Sequence, residues 1–208
     1  MDIETQFLEG LIELQYGQNV VGKLKNLAPK IPWAKGWPHD DTAFWNAEAF
    51  MWERKIERKK RDLILREVRC LMGGKNLDLG CGGYSYIPSV GFDLSAQMLK
   101  QNEQCQEKVV GDVEKKLPFK RGEFSSVTAV FVLNYVRNYL GLLNEISRVL
   151  TAQGAFVMIL YSGELNEWQK QKEVNRFSAQ KWNRILKEAG FRVQWYEKEK
   201  MWFFKCGK

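Results

Sequence analysis

From Lys75 onward, short apolar runs alternate with helical patterns, and this alternation constrains the possible folds more than any other feature of the sequence. The apolar runs are residues 76–79, 89–93, 107–110, 126–133, 155–161, 191–196 and 201–205. Helical patterns occupy residues 95–104, 138–150 and 178–189. Strands that alternate with helices predict an α/β fold, with a doubly wound, mainly parallel sheet covered on both faces.

The end of the chain departs from that alternation. The last two apolar runs are joined only by residues 197–200, which read EKEK. Parallel neighbouring strands need a connection of a dozen or more residues. The last two strands are therefore predicted to pair as an antiparallel hairpin, which completes a mostly parallel seven-stranded sheet.

The first part of the chain has a different texture. Residues 2–16 carry apolar side chains at helical spacing, whereas residues 17–41 contain three prolines and predict an irregular linker. Residues 42–72 predict a long helical region with a break near residues 52–55. We interpret residues 1–69 as an N-terminal helical extension or cap, preceding a domain formed by residues 70–208.

Tryptophans are concentrated outside the regular core segments. They either line a substrate cavity or fix the extension to the domain, since aromatic side chains favour burial. These residues are Trp33, Trp37, Trp45, Trp52 and Trp168.

The net charge of +7 raises the odds of an anionic partner such as RNA. Its densest basic run, residues 57–61, lies inside a helical pattern with acidic residues nearby, which favours a solvated helix face for that run. The four cysteines form no C-x-x-C pair, so neither a metal site nor a disulfide framework is predicted. The acidic N-terminus does not resemble a signal peptide, and no apolar run approaches the ~20 residues that span a bilayer, so we expect a cytoplasmic protein.

A glycine-rich turn follows the first predicted strand, in the sequence LDLGCGG of residues 77–83. Ligands of such sheets bind at the carboxyl ends of the strands. A dinucleotide fingerprint starting at Gly80 would require glycine at position 85, which is Ser85, and its acidic residue would come later than Asp93. A phosphate-binding P-loop would need a G-K-[ST] sequence, which does not follow the turn.

Later motifs arrive in a recognisable order: GFDLSAQML, VVGDVEKKLPF, FSSVTAVFVLNYV and LLNEISRVLTAQGAFVMIL. With the glycine turn, the series resembles the class I S-adenosylmethionine-dependent methyltransferases, in the type 11, small-molecule-like branch. The resemblance covers residues 70–208. It implies a Rossmann-like fold, S-adenosylmethionine as cofactor and methyl transfer as activity.

The resemblance also implies roles for single residues. Asp78, Gly80 and Gly82 would border the methionine moiety, and Asp93 would bind the ribose hydroxyls. The remaining implied cofactor contacts are Cys81, Tyr84, Leu94, Asp112, Val113, Phe131 and Asn134. For each aspartate, a helix cap or a turn residue remains the alternative.

Two departures from the family pattern affect the glycine turn. Tyr84 stands where a third glycine is usual, and Pro88 shortens the following helix to about one turn. We therefore predict a one-turn helix after Gly83, with Tyr84 or Tyr86 forming part of the cofactor site.

Methyl transfer depends mainly on alignment of the acceptor behind the methyl group, and a general base is optional. Tyr135 and His39 are the candidate catalytic residues. Tyr135 could instead pack under the next helix, and His39 could lie in an exposed loop. The sequence after the fourth strand, LNYV, lacks the N-[PD]-P-[YF] signature of many base or glutamine methyltransferases. This favours a small-molecule acceptor; RNA methylation and a non-catalytic, cofactor-binding partner subunit remain alternatives.

Overall fold

The computed structural model describes residues 2–50, 56–165 and 167–208, with no side-chain description for residues 167 and 168. The interpretations that concern the helix break at residues 52–55, Trp52 and the side chain of Trp168 lie outside the described residues. Within the described ranges, no helix is both long and apolar enough to cross a membrane.

Seven strands form one sheet with the spatial order β3-β2-β1-β4-β5-β7-β6. The strands are β1 (Asn76–Leu79), β2 (Ser89–Asp93), β3 (Cys105–Val110), β4 (Phe124–Val130), β5 (Leu150–Tyr161), β6 (Arg192–Lys198) and β7 (Met201–Gly207). Strands β1 to β5 pair in parallel, and β7 runs antiparallel to both β5 and β6. The predicted fold class, including its final hairpin, is therefore confirmed.

Eight α-helices flank the sheet or precede it in the described ranges. They are α1 (Ile3–Gln15), α2 (Val21–Leu27), α3 (Asp41–Glu48), α4 (Arg58–Val68), α5 (Ala96–Gln101), α6 (Tyr139–Val149), α7 (Glu167–Lys172) and α8 (Ala179–Glu188). Short 3-10 turns occupy Ala28–Lys30, Pro32–Ala34, Arg69–Leu71 and Leu133–Tyr135. Side chains of Ser95, Asn138 and Ser178 accept backbone hydrogen bonds at the starts of α5, α6 and α8, because the first N–H groups of a helix need partners.

One prediction about the N-terminal part was wrong. Residues 17–41 are not an irregular linker, because they contain α2 and two 3-10 turns. Pro29 and Pro32 lie in the first positions of those turns, where a missing N–H costs nothing. In the described residues, the helical region predicted at 42–72 contains the helices α3 and α4, and residues 56 and 57 are not helical; the break predicted near residues 52–55 lies outside the described residues.

The one-turn helix predicted after Gly83 was also wrong. Residues 84–88, all of which the structure describes, form an irregular segment. Asn102, at the end of α5, fixes this segment: its amide group donates to the carbonyl oxygen of Gly82 and to Ser85 Oγ, and its Oδ1 accepts from the N–H of Ser85. These hydrogen bonds take the place that helical ones would have, because Pro88 leaves too little chain for a helix.

The residues before β1 pack in two different ways. Helices α1 to α3 bury an apolar cluster of their own, centred on Phe7, Leu11 and Leu24. Trp33 and Trp37 pack edge-to-face on Phe7 within or beside that cluster, so they stabilise the extension. Helix α4 instead contributes to a cluster on one face of the sheet, where its buried residues lie with side chains of β5 and β7.

Candidate active site

A cavity of about 400 Å³ lies at the carboxyl ends of β1, β2, β3 and β4, the edge at which sheets of this type bind ligands. Its size is within the usual range for small-molecule sites. We call it the main cavity. The residues that line it are Asp40, Asp41, Thr42, Trp45, Gly80, Gly82, Asp93, Leu94, Met98, Asp112, Val113, Glu114, Lys115, Val130, Phe131, Val132, Tyr135, Val136, Arg137 and Lys172.

The turn after β1 provides a wall of bare backbone. Gly80 and Gly82 have φ angles of 58° and 59°, a conformation that side-chain-bearing residues rarely adopt. A Cβ atom at Gly80 would lie 2.7 Å from Val132, so a larger residue would also collide with the end of β4. The turn is fixed by hydrogen bonds from the Gly80 N–H to the Phe92 carbonyl (2.7 Å) and from the Gly82 N–H to Asp93 Oδ2 (2.8 Å).

Two carboxylates are buried beneath this turn. Burial raises the pKa of Asp93 to about 6, although the N–H groups of Ser95 and Gly82 oppose the shift. Burial likewise raises the pKa of Asp78 to about 6, against hydrogen bonds from Ser85 and Thr128. Each oxygen of Asp93 accepts one backbone hydrogen bond, and a carboxylate oxygen has capacity for a second. Asp93 can therefore brace the turn and also accept from hydroxyl groups in the cavity.

The far end of the main cavity is lined by apolar side chains and one carboxylate. Leu94, Met98 and Val113 supply the apolar surface. Asp112 Oδ1 accepts a hydrogen bond of 2.9 Å from the N–H of Glu114, so Asp112 also acts as a turn residue. A planar heterocycle fits between such apolar walls, with polar groups at its edge.

The opposite end is covered by helix α3 of the extension. Trp45 packs edge-to-face on Tyr135, with ring centroids 5.0 Å apart. Asp41 forms ion pairs with Lys172 of α7 (2.6 Å) and with Arg137 (3.2 Å). We call the three charged residues the Asp41 clasp. Although burial raises the pKa of Asp41, its bonds to Lys172 and Arg137 outweigh that effect and hold the pKa below its usual value.

Phe131 lies where β4 ends and has a φ angle of 59°, which is uncommon for a bulky residue. Its N–H donates to the carbonyl oxygen of Ile159 at 2.8 Å, which fixes this backbone conformation. Such strain is characteristic of functional sites. Phe131 lines the main cavity and also a second, smaller one.

That second cavity, called the small hollow, lies on the other side of the glycine turn. It shares Gly80, Val130 and Phe131 with the main cavity. Its other lining residues are Ile56, Asp78, Cys81, Tyr84 and Tyr86.

The structure thus brings most of the sequence-predicted site residues together. Two are placed elsewhere. The His39 side chain is exposed and lies outside the lining of both cavities, while its carbonyl oxygen accepts from Lys172 Nζ at 2.9 Å. Asn134 is also outside both linings; its carbonyl oxygen accepts the N–H groups of Val174 and Asn175, and its Oδ1 is buried without a partner in the described residues.

The lining residues that the sequence analysis did not place in the site include Asp41, Met98, Arg137 and Lys172, whereas Trp45 was among the tryptophans expected either to line a cavity or to fix the extension. Met98 was within reach, because it lies in the first turn of the helix that follows Asp93. The others come from segments far apart in the chain, and no local pattern connects them.

Residues 77–158 match the family model described as a methyltransferase domain, of type 11. Residues 77–158 therefore form a type 11 methyltransferase domain, and solved S-adenosylmethionine-dependent methyltransferases share its fold. S-adenosylmethionine is the cofactor that such a domain implies, and the residues of the site fit it. The glycine turn has no side chains that would keep a ligand away from its backbone. The main cavity is lined both by Asp93, which can accept hydrogen bonds from hydroxyl groups, and by the apolar side chains of Leu94, Met98 and Val113.

Individual relatives are distant. An uncharacterized protein of Methanocaldococcus jannaschii is 29% identical over 133 residues, which cover 57% of this chain and 65% of the relative, just under two thirds. A demethylmenaquinone methyltransferase of Staphylococcus saprophyticus is 27% identical over 184 residues, covering 67% of this methyltransferase and 78% of the relative.

Among solved structures, an S-adenosylmethionine-dependent methyltransferase of Thermotoga maritima has a TM-score of 0.65 at 19% identity, covering 79% of this chain and 98% of that one. A Haloferax volcanii methyltransferase, solved with an activator protein, has a TM-score of 0.63 at 18% identity, covering 78% and 96%. At such identities the likeness concerns the fold.

Proposed function

We propose that this methyltransferase transfers the methyl group of S-adenosylmethionine to a small-molecule acceptor held under helix α3. One observation carries the proposal. The lining of the main cavity includes both the glycine turn and a wall formed by Trp45, Tyr135 and the Asp41 clasp. A cavity of about 400 Å³ with such a wall beside the cofactor residues suits a small-molecule acceptor better than a polymer.

We further propose how the cofactor lies in the site. Asp93 accepts hydrogen bonds from the ribose hydroxyls, and the adenine lies between Leu94, Met98 and Val113. Asp112 and the backbone of Val113 contact the adenine edge. The methionine moiety then passes over Gly80 toward Asp78, below Phe131. All of these residues line the main cavity or the small hollow, and Gly80 and Phe131 line both.

The part of the main cavity near Tyr135 would bind the acceptor by hydrogen bonding and would restrict its orientation. The Tyr135 phenol is protonated at neutral pH, burial raises its pKa further, and the hydroxyl can donate a hydrogen bond to an acceptor molecule. In the reaction, a lone pair of the acceptor forms the new bond to the methyl carbon while the carbon–sulfur bond breaks. Alignment and exclusion of water supply much of the acceleration. Tyr135 would orient the acceptor, and the cavity geometry gives His39 no part in this step.

The charge distribution favours a small acceptor over RNA. In the basic run at the start of α4, Lys59 pairs with Glu199 at 2.9 Å and Lys60 pairs with Glu57 at 3.2 Å. Cations that are neutralised by neighbouring carboxylates are poor phosphate ligands. The staphylococcal relative, which is named for a small-molecule acceptor, supports the same class of substrate.

The test combines binding with turnover. Calorimetry should detect S-adenosylmethionine binding, and Asp93→Ala should weaken it about 10- to 100-fold, the loss of one or more hydrogen bonds to a charged group. Asp62→Ala, on the exposed face of α4, serves as the matched control and should leave affinity unchanged.

With methyl-labelled cofactor and cell extract, the label should appear in the low-molecular-mass fraction. Label in RNA, with binding that weakens steeply as salt increases, would favour the RNA alternative. Cofactor binding without turnover, together with stable co-purification of another chain, would favour the partner-subunit alternative. The absence of binding at millimolar cofactor would contradict the proposal altogether.

A further inference from the structure

Tyr86 has a hydroxyl group that nothing in the described chain explains. The residue is 9% exposed, and its oxygen is buried without a hydrogen-bond partner in the described residues. A buried hydroxyl without a partner is costly, and proteins rarely retain one. Tyr86 lines the small hollow, which shares Gly80, Val130 and Phe131 with the main cavity, so a ligand that occupied both cavities would lie beside Tyr86.

The position of Tyr86 is well fixed. It lies in the irregular segment 84–88, which Asn102 holds through three hydrogen bonds. Its ring also packs edge-to-face on Tyr84, with centroids 5.2 Å apart. Since residues 84–88 form no helix, no helix N-terminus is available there to bind an anion, and a side-chain donor has to serve instead.

Charges of both signs lie near the hollow. Asp78, which lines it, is a buried carboxylate with Thr128 donating to its Oδ1 at 2.7 Å. Near Tyr86, the Arg61 guanidinium lies 5.4 Å from the ring centroid of Tyr84. Burial raises the pKa of Tyr86, the positive charge of Arg61 opposes this rise, and the negative charge of Asp78 adds to it.

An amino-acid zwitterion matches these charges. Its ammonium group would face Asp78, and its carboxylate would face Tyr86 and Arg61. The hollow measures about 10 Å³, which is room for one small polar group such as a carboxylate oxygen. The rest of the zwitterion would lie over Gly80, the residue that both cavities share.

We propose that the Tyr86 hydroxyl donates a hydrogen bond to the α-carboxylate of the cofactor's methionine moiety, opposite Asp78, and thereby selects for the amino-acid end of the cofactor. This inference rests on the proposed function, because it presupposes that the cofactor occupies the main cavity. Tyr86 then replaces, with one side chain, the helix that the segment after the glycine turn is too short to form.

The decisive test compares two ligands that differ only in the carboxylate: S-adenosylmethionine and decarboxylated S-adenosylmethionine. Calorimetry on the full chain should give tighter binding of S-adenosylmethionine. Tyr86→Phe should weaken S-adenosylmethionine about 10-fold, within the range for a hydrogen bond to a charged group, and leave the decarboxylated ligand unchanged. Tyr16→Phe is the matched control, since Tyr16 is 81% exposed and lines neither cavity, and it should change neither affinity.

A second readout needs no ligand. Phenylalanine removes the unpaired hydroxyl, so Tyr86→Phe should raise the Tm of the ligand-free protein by about 2–4 °C. A lower Tm would indicate that the hydroxyl has a partner in the fold, which would overturn the proposal.

The proposal also fails if the wild-type protein binds both ligands equally, a result that does not depend on folding of any variant. It fails if Tyr86→Phe weakens both ligands by the same factor or neither of them; the proposed function would survive both outcomes. If the wild-type protein bound neither ligand, the proposed function would fail first and this inference with it.

Discussion

Asp93 links the stability of the fold to the chemistry of the site. Its two oxygens accept the N–H groups of Ser95 and Gly82, each at 2.8 Å, so it fixes both the start of α5 and the glycine turn. Burial nevertheless raises its pKa to about 6. Because a charged carboxylate is disfavoured there, the ligand-free protein is destabilised at neutral pH by a group that cofactor binding requires.

Because a charged, buried Asp93 destabilises the ligand-free protein, we predict that the free energy of unfolding decreases as the pH rises. Between the ordinary pKa of 3.8 and about 6, folded Asp93 and Asp78 bind more protons than they do in the unfolded chain. Their stabilising contribution is therefore complete below pH 3.8 and is lost as the pH rises through 6. From pH 5 to pH 7.5, denaturant titrations should show the free energy of unfolding of the ligand-free protein falling, by about 1 kcal/mol for each group.

Asp93→Asn supplies the control for that titration. It should remove about half of the decrease, leaving the part that belongs to Asp78. The carboxylates whose pKa values are lowered, such as Glu67 and Glu145, act below this pH window and with the opposite sign. An unchanged slope in Asp93→Asn would show that Asp93 does not titrate near pH 6.

At the residue scale, the sequence predicted what depends on short spacing. Gly80, Gly82 and Asp93 were identified because a glycine turn and an acidic residue follow two adjacent strands. The left-handed backbone of Phe131 and the unpaired hydroxyl of Tyr86 were not predictable. Both depend on neighbours that are brought together only by folding.

At the scale of elements, the Asp41 clasp connects three parts of the chain over one end of the main cavity. Lys172 of α7 is 12% exposed in its side chain, and its Nζ reaches Asp41 Oδ1 at 2.6 Å. The same Nζ lies 5.0 Å from the ring centroid of Phe44 and donates to the carbonyl oxygen of His39. The clasp therefore holds the start of α3 against α7, with Trp45 placed on Tyr135.

Loss of the clasp should loosen this covering. Asp41→Asn removes the charge that Lys172 and Arg137 share, so α3 should open more readily. We expect the acceptor KM and the cofactor dissociation rate to increase about 2- to 5-fold, which corresponds to the modest energy of a half-exposed ion pair. Steady-state kinetics and stopped-flow fluorescence would measure the two effects.

Lys75→Met is the matched control for the clasp. It removes another close pair, Lys75 with Glu123 at 2.7 Å, but neither residue lines a cavity. Both kinetic quantities should stay at their wild-type values in this variant. Equal changes in Asp41→Asn and Lys75→Met would indicate a general effect of lost charge, and the clasp would have no special part.

Some helices could be predicted from the sequence more clearly than others. Helices α6 and α8 were predictable because their apolar residues repeat at helical spacing and bury one face. Leu140 lies within the helical pattern predicted at residues 138–150 but is exposed, so the apolar character of a residue in that pattern does not ensure its burial. Helix α2 was missed because it has seven residues and buries one, Leu24. Its stability comes from the cluster with α1, which a local pattern does not reveal.

At the scale of the whole molecule, the helices before β1 contact two different parts of the domain. Helix α3 is joined to the cofactor region by a hydrogen bond of 2.8 Å from Ser95 Oγ to Asn46 Oδ1. Helix α4 buries Leu63, Ile64 and Val68 on the sheet. The boundary between extension and domain, which we predict at residues 69 and 70, therefore separates α4 from a core that it shares with β5 and β7.

Two truncated chains would test where the folding unit begins. A chain that starts at residue 57 keeps α4, and we expect it to fold but to bind acceptor poorly, because it lacks Trp45 and Asp41. A chain that starts at residue 70 also loses the burial of Leu63, Ile64 and Val68, at about 1.5–3 kcal/mol for each side chain. That sum is comparable with the total stability of a typical domain, about 5–15 kcal/mol, so this chain should not unfold cooperatively in calorimetry. Cooperative unfolding of the shorter chain would establish residues 70–208 as an independent domain and would show that α4 is not required for its folding.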